Sequence, residues 1–154
     1  ELIQQVLQNQ WKQIGVEVVI KNLPARTYFG ETLKKQQFTA LAQLAWSSNP
    51  ESPPTSTLAT SGIPTAANNF AGANYPHFSH PGMDKLIDEV QRELDPAKRK
   101  PLWFEMQKIY TDELPVLPLF FRTDVYVVPK WLTGILRPGQ LPSNYYGVET
   151  WGVR

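Results

Sequence analysis

Residues 80–121 read HPGMDKLIDEVQRELDPAKRKPLWFEMQKIYTDELPVLPLFF, the stretch with the clearest structural pattern in the chain. Ser79-His80-Pro81 places a cap candidate before a proline, which predicts that a helix begins here. The buried stripe of this predicted helix consists of Met83, Leu86, Ile87, Val90 and Leu94. Its opposite face is charged, as expected for an amphipathic helix at a protein surface.

A second helix is predicted to begin at Asp95-Pro96. Its apolar stripe consists of Leu102, Met106, Ile109 and Tyr110. Pro101 interrupts the pattern and is expected either to kink the helix or to mark its real start. Downstream, residues 114–121 are predicted to form an extended apolar segment and residues 125–128 a short strand.

The first 46 residues alternate between helical and extended patterns. Apolar side chains at three- and four-residue steps predict a helix over residues 1–14, with Gly15 as its stop. Residues 16–23 predict a strand, a second helix is expected from Pro24 to about Gln37, and residues 38–46 predict a strand buried on both faces. This order of elements is typical of an α/β architecture with a partly parallel sheet.

A long uncharged connection follows. Between Ser47 and Gly82 the only charged residue is Glu51, and the segment contains six prolines and both histidines. Connections of this length are usually functional or disordered. We expect order, because the segment carries its own apolar anchors, which are Leu58, Ile63, Phe70, Tyr75 and Phe78.

The composition excludes several classes of protein. The chain has 154 residues, enough for one ordinary domain, and a formal net charge of +1 without any Lys/Arg run. This balance argues against a nucleic-acid binder. There is no cysteine, which excludes disulfide scaffolds and thiol catalysis. No apolar run approaches the roughly 18 residues of a membrane span.

The start of the chain lies inside a helical pattern and shows neither the basic nor the apolar region of a signal peptide. We therefore expect an excised piece or a processed chain, for which the missing signal says nothing about compartment.

The sequence offers no catalytic machinery. His77 and His80 are the only imidazoles, and no G-x-S-x-G motif accompanies them. Their spacing would suit a metal pair on a helix, but flanking prolines favour the interpretation of a loop histidine and a cap-region histidine. The glycines are too scattered to form a phosphate-binding loop. The chain is predicted to be no enzyme and to hold no metal or cofactor.

One short segment is the candidate binding site. Trp46 ends the predicted strand 38–46, and open α/β sheets bind ligands at the carboxyl ends of their strands. The candidate residues are Trp46, Ser47, Ser48, Asn49 and Pro50. They offer a flat apolar face beside neutral hydrogen-bonding groups, which suits a small polar ligand. The alternative is that Trp46 merely plugs the end of the sheet, and the pattern alone favours neither.

Residues 80–121 strongly resemble the C-terminal region of the family 5 extracellular solute-binding proteins, which serve peptide, nickel and related ABC importers. The matching residues are Pro81, Asp84, Leu86, Ile87, Asp95 and Arg99, followed by Glu113-Leu114-Pro115 and Pro118-Leu119-Phe120. Upstream, residues 3–20 are similar to the family's helix that leads through Ile-Gly to a strand. Residues 38–46 are similar to its strand ending in Trp.

This resemblance implies part of a two-lobed, periplasmic-binding-protein-like fold of type II. Residues 1–118 would form the later part of the second lobe, and residues 119–154 would return to the first lobe. The ligand, a small polar solute such as an oligopeptide, modified peptide or glycoside, would sit in the cleft between lobes. The protein would be monomeric at full length, periplasmic or lipid-anchored outside the cytoplasm, and would deliver its solute to a membrane permease.

The position of Asn49 departs from the resemblance. Peptide binders of the family place an acidic residue three positions after the strand-end Trp, where it pairs with the α-amine of the peptide. A neutral amide cannot supply that charge-assisted bond.

A second function also stays open, in which the chain is the ligand-sensing domain of a regulator that uses the same fold.

Overall fold

The computed structural model describes residues 2–47, 52–121, 125, 127–135 and 147–154. They form two compact units, Glu1–Thr39 and Ala40–Arg154. The helices are α1 (Leu2–Gln13), α2 (Ala25–Thr27), α3 (Thr55–Leu58), α4 (Pro81–Arg92) and α5 (Pro96–Glu113), and the strands are β1 (Leu132–Thr133) and β2 (Gly152–Val153). Short 3₁₀ turns cover Thr60–Gly62, Ala66–Asn68 and Val148–Thr150.

The first unit begins with α1, as predicted, and the chain leaves the helix at Gly15 with φ of +82°. A positive φ of this size costs glycine little, which explains the stop. The second predicted helix is confirmed from Ala25 onward. It continues as a π-helical turn over Tyr28–Thr32 and ends earlier than Gln37.

The strands predicted for residues 16–23 and 38–46 are wrong for the described chain, since neither segment joins a sheet. A strand needs a neighbour that takes up its N–H and C=O groups. Next to residues 16–23 lies α1, and one of its glutamines bonds to a backbone carbonyl of this segment instead. Gln8 Nε2 donates to the carbonyl of Val18 at 2.6 Å. The α/β, two-lobed architecture thus stays a prediction.

The core of the second unit lies between α4 and α5. It contains Ala59, Met83, Ile87, Val90 and Met106, each at most 4% exposed. The two predicted stripes are confirmed except at Leu94, which is 89% exposed. This exception has a simple cause, because α4 ends at Arg92 and Leu94 lies in the connection to α5.

Both helix starts are capped as predicted. His80 Nδ1 accepts a hydrogen bond from the Met83 N–H at 3.1 Å, ahead of Pro81 at the first turn of α4. Asp95 Oδ1 accepts one from the Ala97 N–H at 2.9 Å. Helix α5 begins at Pro96 and continues through Pro101, so Pro101 does not mark its start.

The described residues of the C-terminal part form a two-stranded sheet. β1 and β2 pair antiparallel, with Leu132 opposite Val153 and Thr133 opposite Gly152. The predicted strand 125–128 is not found at the described residues 125, 127 and 128. Between α5 and β1 the chain exposes large apolar side chains, such as Phe120 (58%) and Phe121 (85%).

Candidate functional site

The indole of Trp46 stacks on the phenol ring of Tyr75. Their ring centroids are 6.1 Å apart and the ring planes differ by 15°. Trp46 remains 37% exposed, and the adjacent Ser47 is exposed as well. The other three candidate residues, Ser48, Asn49 and Pro50, lie outside the described residues. The structure therefore brings one predicted site residue together with an aromatic partner from the uncharged connection.

A fully buried amide fixes the backbone next to Tyr75. Asn74 is 0% exposed, and its Nδ2 donates to the carbonyls of Ala59 and Phe78, both at 2.8 Å. Its Oδ1 accepts from the Phe78 N–H at 3.0 Å. A buried amide with this many partners is well compensated for its loss of water. The chain directly before Tyr75 is therefore fixed by the three hydrogen bonds of the Asn74 side chain.

The loop around Asn74 is closed by a tight crossing of two chain segments. The Asn74 N–H donates to the Gly62 carbonyl at 3.0 Å, and the Ala73 N–H to the Ser56 carbonyl at 2.8 Å. A Cβ at Gly72, whose φ is +97°, would lie 2.1 Å from the Gly62 carbonyl oxygen. This close approach leaves room only for glycine. We call residues 55–79 the aromatic platform, because this ordered segment presents Tyr75.

The aromatic platform is attached to the core and to α4. Ala59, which accepts from Asn74, is itself part of the core. Asp84 in the first turn of α4 accepts from the Thr60 N–H at 2.7 Å and from the Thr60 hydroxyl at 2.6 Å. A carboxylate that accepts two bonds in this way forms a strong link. Residues 52–82 of the uncharged connection form short helical turns joined by these hydrogen bonds, as expected of an ordered segment.

The chemistry around the aromatic pair is neutral. Residues 52–82 contain no Asp, Glu, Lys or Arg. The polar residues of this connection are mainly Ser, Thr and Asn, whose neutral groups can recognise a ligand by directional hydrogen bonds. A groove of about 380 Å³ beside α4 and α5 is lined instead by charges of both signs. It contains no aromatic side chain.

The two histidines have structural surroundings. His80 caps α4 and stacks on Phe78, with ring centroids 6.1 Å apart. His77, three residues earlier in the chain, has a left-handed backbone conformation with φ of +56°. Among the described residues no three His, Asp or Glu side chains lie close enough to hold a metal ion. None of the helices that the structure describes has the length and apolar character needed to cross a membrane.

Sequence reasoning missed the role of Tyr75 and Asn74. Tyr75 was expected only as an apolar anchor of the connection, and Asn74 belongs to no sequence motif that would single it out. The signal that places Tyr75 against Trp46 is tertiary, since it depends on the crossing at Gly62 and Gly72 and not on spacing along the chain.

The chain is similar to curated peptide-binding proteins. It is 30% identical over 138 residues to the oligopeptide-binding protein OppA of Bacillus subtilis, a match that covers 89% of this chain and 24% of that protein. It is 28% identical over 127 residues to the di/tripeptide-binding protein 1 of Pseudomonas aeruginosa, covering 80% of this chain and 22% of that protein. It is 25% identical over 136 residues to the periplasmic oligopeptide-binding protein OppA of Salmonella typhimurium, covering 88% and 23%.

These matches confirm the resemblance to peptide-type solute-binding proteins. The chain spans about a quarter of the length of these curated relatives. All three are named as binding proteins and none as an enzyme, in agreement with the non-enzymatic prediction. Neither a family model nor a solved structure gives a significant match to the chain.

Proposed function

We propose that this chain belongs to the substrate-binding component of an ABC importer that captures an oligopeptide-like solute outside the cytoplasm. Residues 1–118 would belong to its second lobe and residues 119–154 would return to the first. The component would act as a monomer in the periplasm, or lipid-anchored at the cell surface, and hand its solute to a membrane permease. The regulator alternative stays a prediction.

The observation that carries this proposal is the similarity over 138 residues to an oligopeptide-binding protein. The exposed indole of Trp46 supplies a surface suited to such a solute. A flat ring stacks on apolar peptide groups, and neighbouring hydroxyl and amide groups can satisfy the peptide backbone. The segment 46–50 would thus line the cleft between the lobes.

Asn49 sets the expected ligand class within that proposal. A carboxylate at this position would pair with a free α-amine, whereas the Asn49 amide cannot. In sequence the nearest charge is Glu51. We expect the site to prefer a neutral or N-terminally blocked ligand over a free amine.

Isothermal titration calorimetry on the full-length protein tests the proposal. The probes are Ala-Phe-Ala and its N-acetylated form. We expect Trp46→Ala to weaken binding of the preferred probe by roughly 1–3 kcal/mol, because stacking and apolar burial are lost. The midpoint of thermal unfolding of Trp46→Ala should fall only modestly, since the indole is 37% exposed and the stacking on Tyr75 that it loses is worth about 0.5–1.5 kcal/mol. Asn49→Asp should shift the preference toward the free-amine peptide.

Phe104→Ala is the matched control, because Phe104 is an exposed aromatic residue of α5 (56%) that belongs to no candidate site. It should bind both peptides like the wild type. The proposal fails if neither peptide binds. The assignment of the site fails if Trp46→Ala lowers stability and leaves affinity unchanged.

A further inference from the structure

The Trp46–Tyr75 pair joins two parts of the chain that are held in different ways. Tyr75 belongs to the aromatic platform, whose backbone is fixed by the buried Asn74 and by the crossing at Gly62. Trp46, the first of the predicted site residues, lies in a segment without regular secondary structure. The ring of Tyr75 is therefore the anchored partner of the two.

We infer that Tyr75 is a positioning residue of the peptide site: it holds the Trp46 indole in a fixed plane so that the ligand stacks on the indole's opposite face. This inference rests on the proposed function. It adds a residue that the segment 46–50 does not contain.

Preorganisation is the physical reason for such a role. A side chain that is already immobilised loses less conformational entropy when a ligand binds, and so binding is tighter. Two parallel rings with centroids 6.1 Å apart lie within the range of favourable aromatic pairs. The position of Tyr75 is fixed relative to the core, because Ala59 bonds to Asn74 and also packs among the core side chains.

The geometry also predicts which features of Tyr75 matter. Stacking needs an aromatic ring and not the hydroxyl group. Tyr75→Phe should therefore still hold the Trp46 indole in place. Tyr75→Leu fills similar space without a ring and should no longer hold it. The pair of variants separates ring stacking from simple apolar packing.

A double-mutant cycle at Trp46 and Tyr75 in the full-length protein tests this inference, with calorimetric affinities for Ala-Phe-Ala and its N-acetylated form. We expect Tyr75→Leu to weaken binding about two- to tenfold, the range that aromatic pair energies imply. In the Trp46→Ala background the same change should have no effect. Tyr75→Phe should stay within about twofold of the wild type.

A merely structural role would give a different pattern. If Tyr75→Leu weakened binding by the same factor with and without the Trp46 indole, the effect would come through the loop, and the positioning role would be overturned. Equal affinities of the wild type and Tyr75→Leu would overturn it as well.

Near-ultraviolet circular dichroism provides a readout that is independent of binding. Tyr75→Leu should change the tryptophan bands of the wild type but not those of a Trp46→Phe variant. If no peptide binds, the proposed function fails while this spectrum still reports on the stacked pair. Unchanged tryptophan bands would show that Tyr75 does not hold the indole.

Discussion

Substituting Asn74 by alanine should strongly destabilise the second unit. The side chain is 0% exposed and makes three hydrogen bonds, two to carbonyls and one from an N–H group. The Ala59 carbonyl keeps a second partner, because it also accepts from the Gly62 N–H at 2.9 Å. The Phe78 N–H loses the acceptor that Asn74 provides. This lost bond is the main cost of the change.

The magnitude follows from these partners. A buried donor left unsatisfied costs about 1–3 kcal/mol, and the two remaining bonds add about 0.5–1.5 kcal/mol each. We expect Asn74→Ala to lower the free energy of unfolding by about 2–6 kcal/mol, a large share of the 5–15 kcal/mol of an ordinary domain. Asn74→Asp should be no better at neutral pH, because a carboxylate cannot donate to the two carbonyls.

Urea unfolding followed by tryptophan fluorescence and circular dichroism measures this change. The control is Asn22→Ala, since Asn22 is exposed and its side-chain oxygen accepts from Gln4 at the surface. That variant should stay within about 0.5 kcal/mol of the wild type. A loss below about 1 kcal/mol for Asn74→Ala would refute the view that this amide holds the aromatic platform together.

Three further predictions concern the link between Asp84 and Thr60, the titration of one tyrosine and the extent of the site. Asp84→Ala removes both bonds to Thr60 and should cost about 1–3 kcal/mol in urea unfolding, whereas the exposed Asp88→Ala on the same helix should cost little; equal effects would contradict the link. Burial raises the pKa of Tyr110 above its usual value of 10.0, so the unfolded state releases this proton more readily and stability should fall as pH rises past about 10. Tyr110→Phe should remove that part of the decline in pH-dependent unfolding, and identical slopes for both proteins would disprove it. The 154-residue chain alone should bind either tripeptide weakly in a fluorescence titration, because a cleft needs two walls; submicromolar affinity would count against a half-site.

The helices of residues 80–113 could be predicted because their signals are local. His80 and Asp95 stand directly before prolines, and the apolar stripes recur at helical spacing. Leu94 was assigned to the wrong environment because the stripe continues in sequence past Arg92, where the helix ends. Periodicity alone does not mark that end.

The strand predictions were wrong because strand formation is not local. Residues 16–23 have β-branched side chains, yet a strand also needs a neighbour for its backbone groups, and in this unit Gln8 bonds to Val18 instead. The candidate site was only partly accessible to sequence reasoning for the same reason. Trp46 could be singled out by its position, but its partner Tyr75 is placed by the fold of the connection.

The most direct test of a peptide-binding surface at Trp46 observes that side chain itself. The full-length protein is titrated with N-acetylated Ala-Phe-Ala while the indole N–H resonances of its tryptophans are followed by heteronuclear NMR. The Trp46 signal is identified as the one missing from Trp46→Phe. We expect the chemical shift of this signal to change with peptide concentration until it saturates. The dissociation constant from this titration should equal the one that calorimetry gives. A saturated complex in which other resonances move and the Trp46 signal stays in place would contradict the central claim.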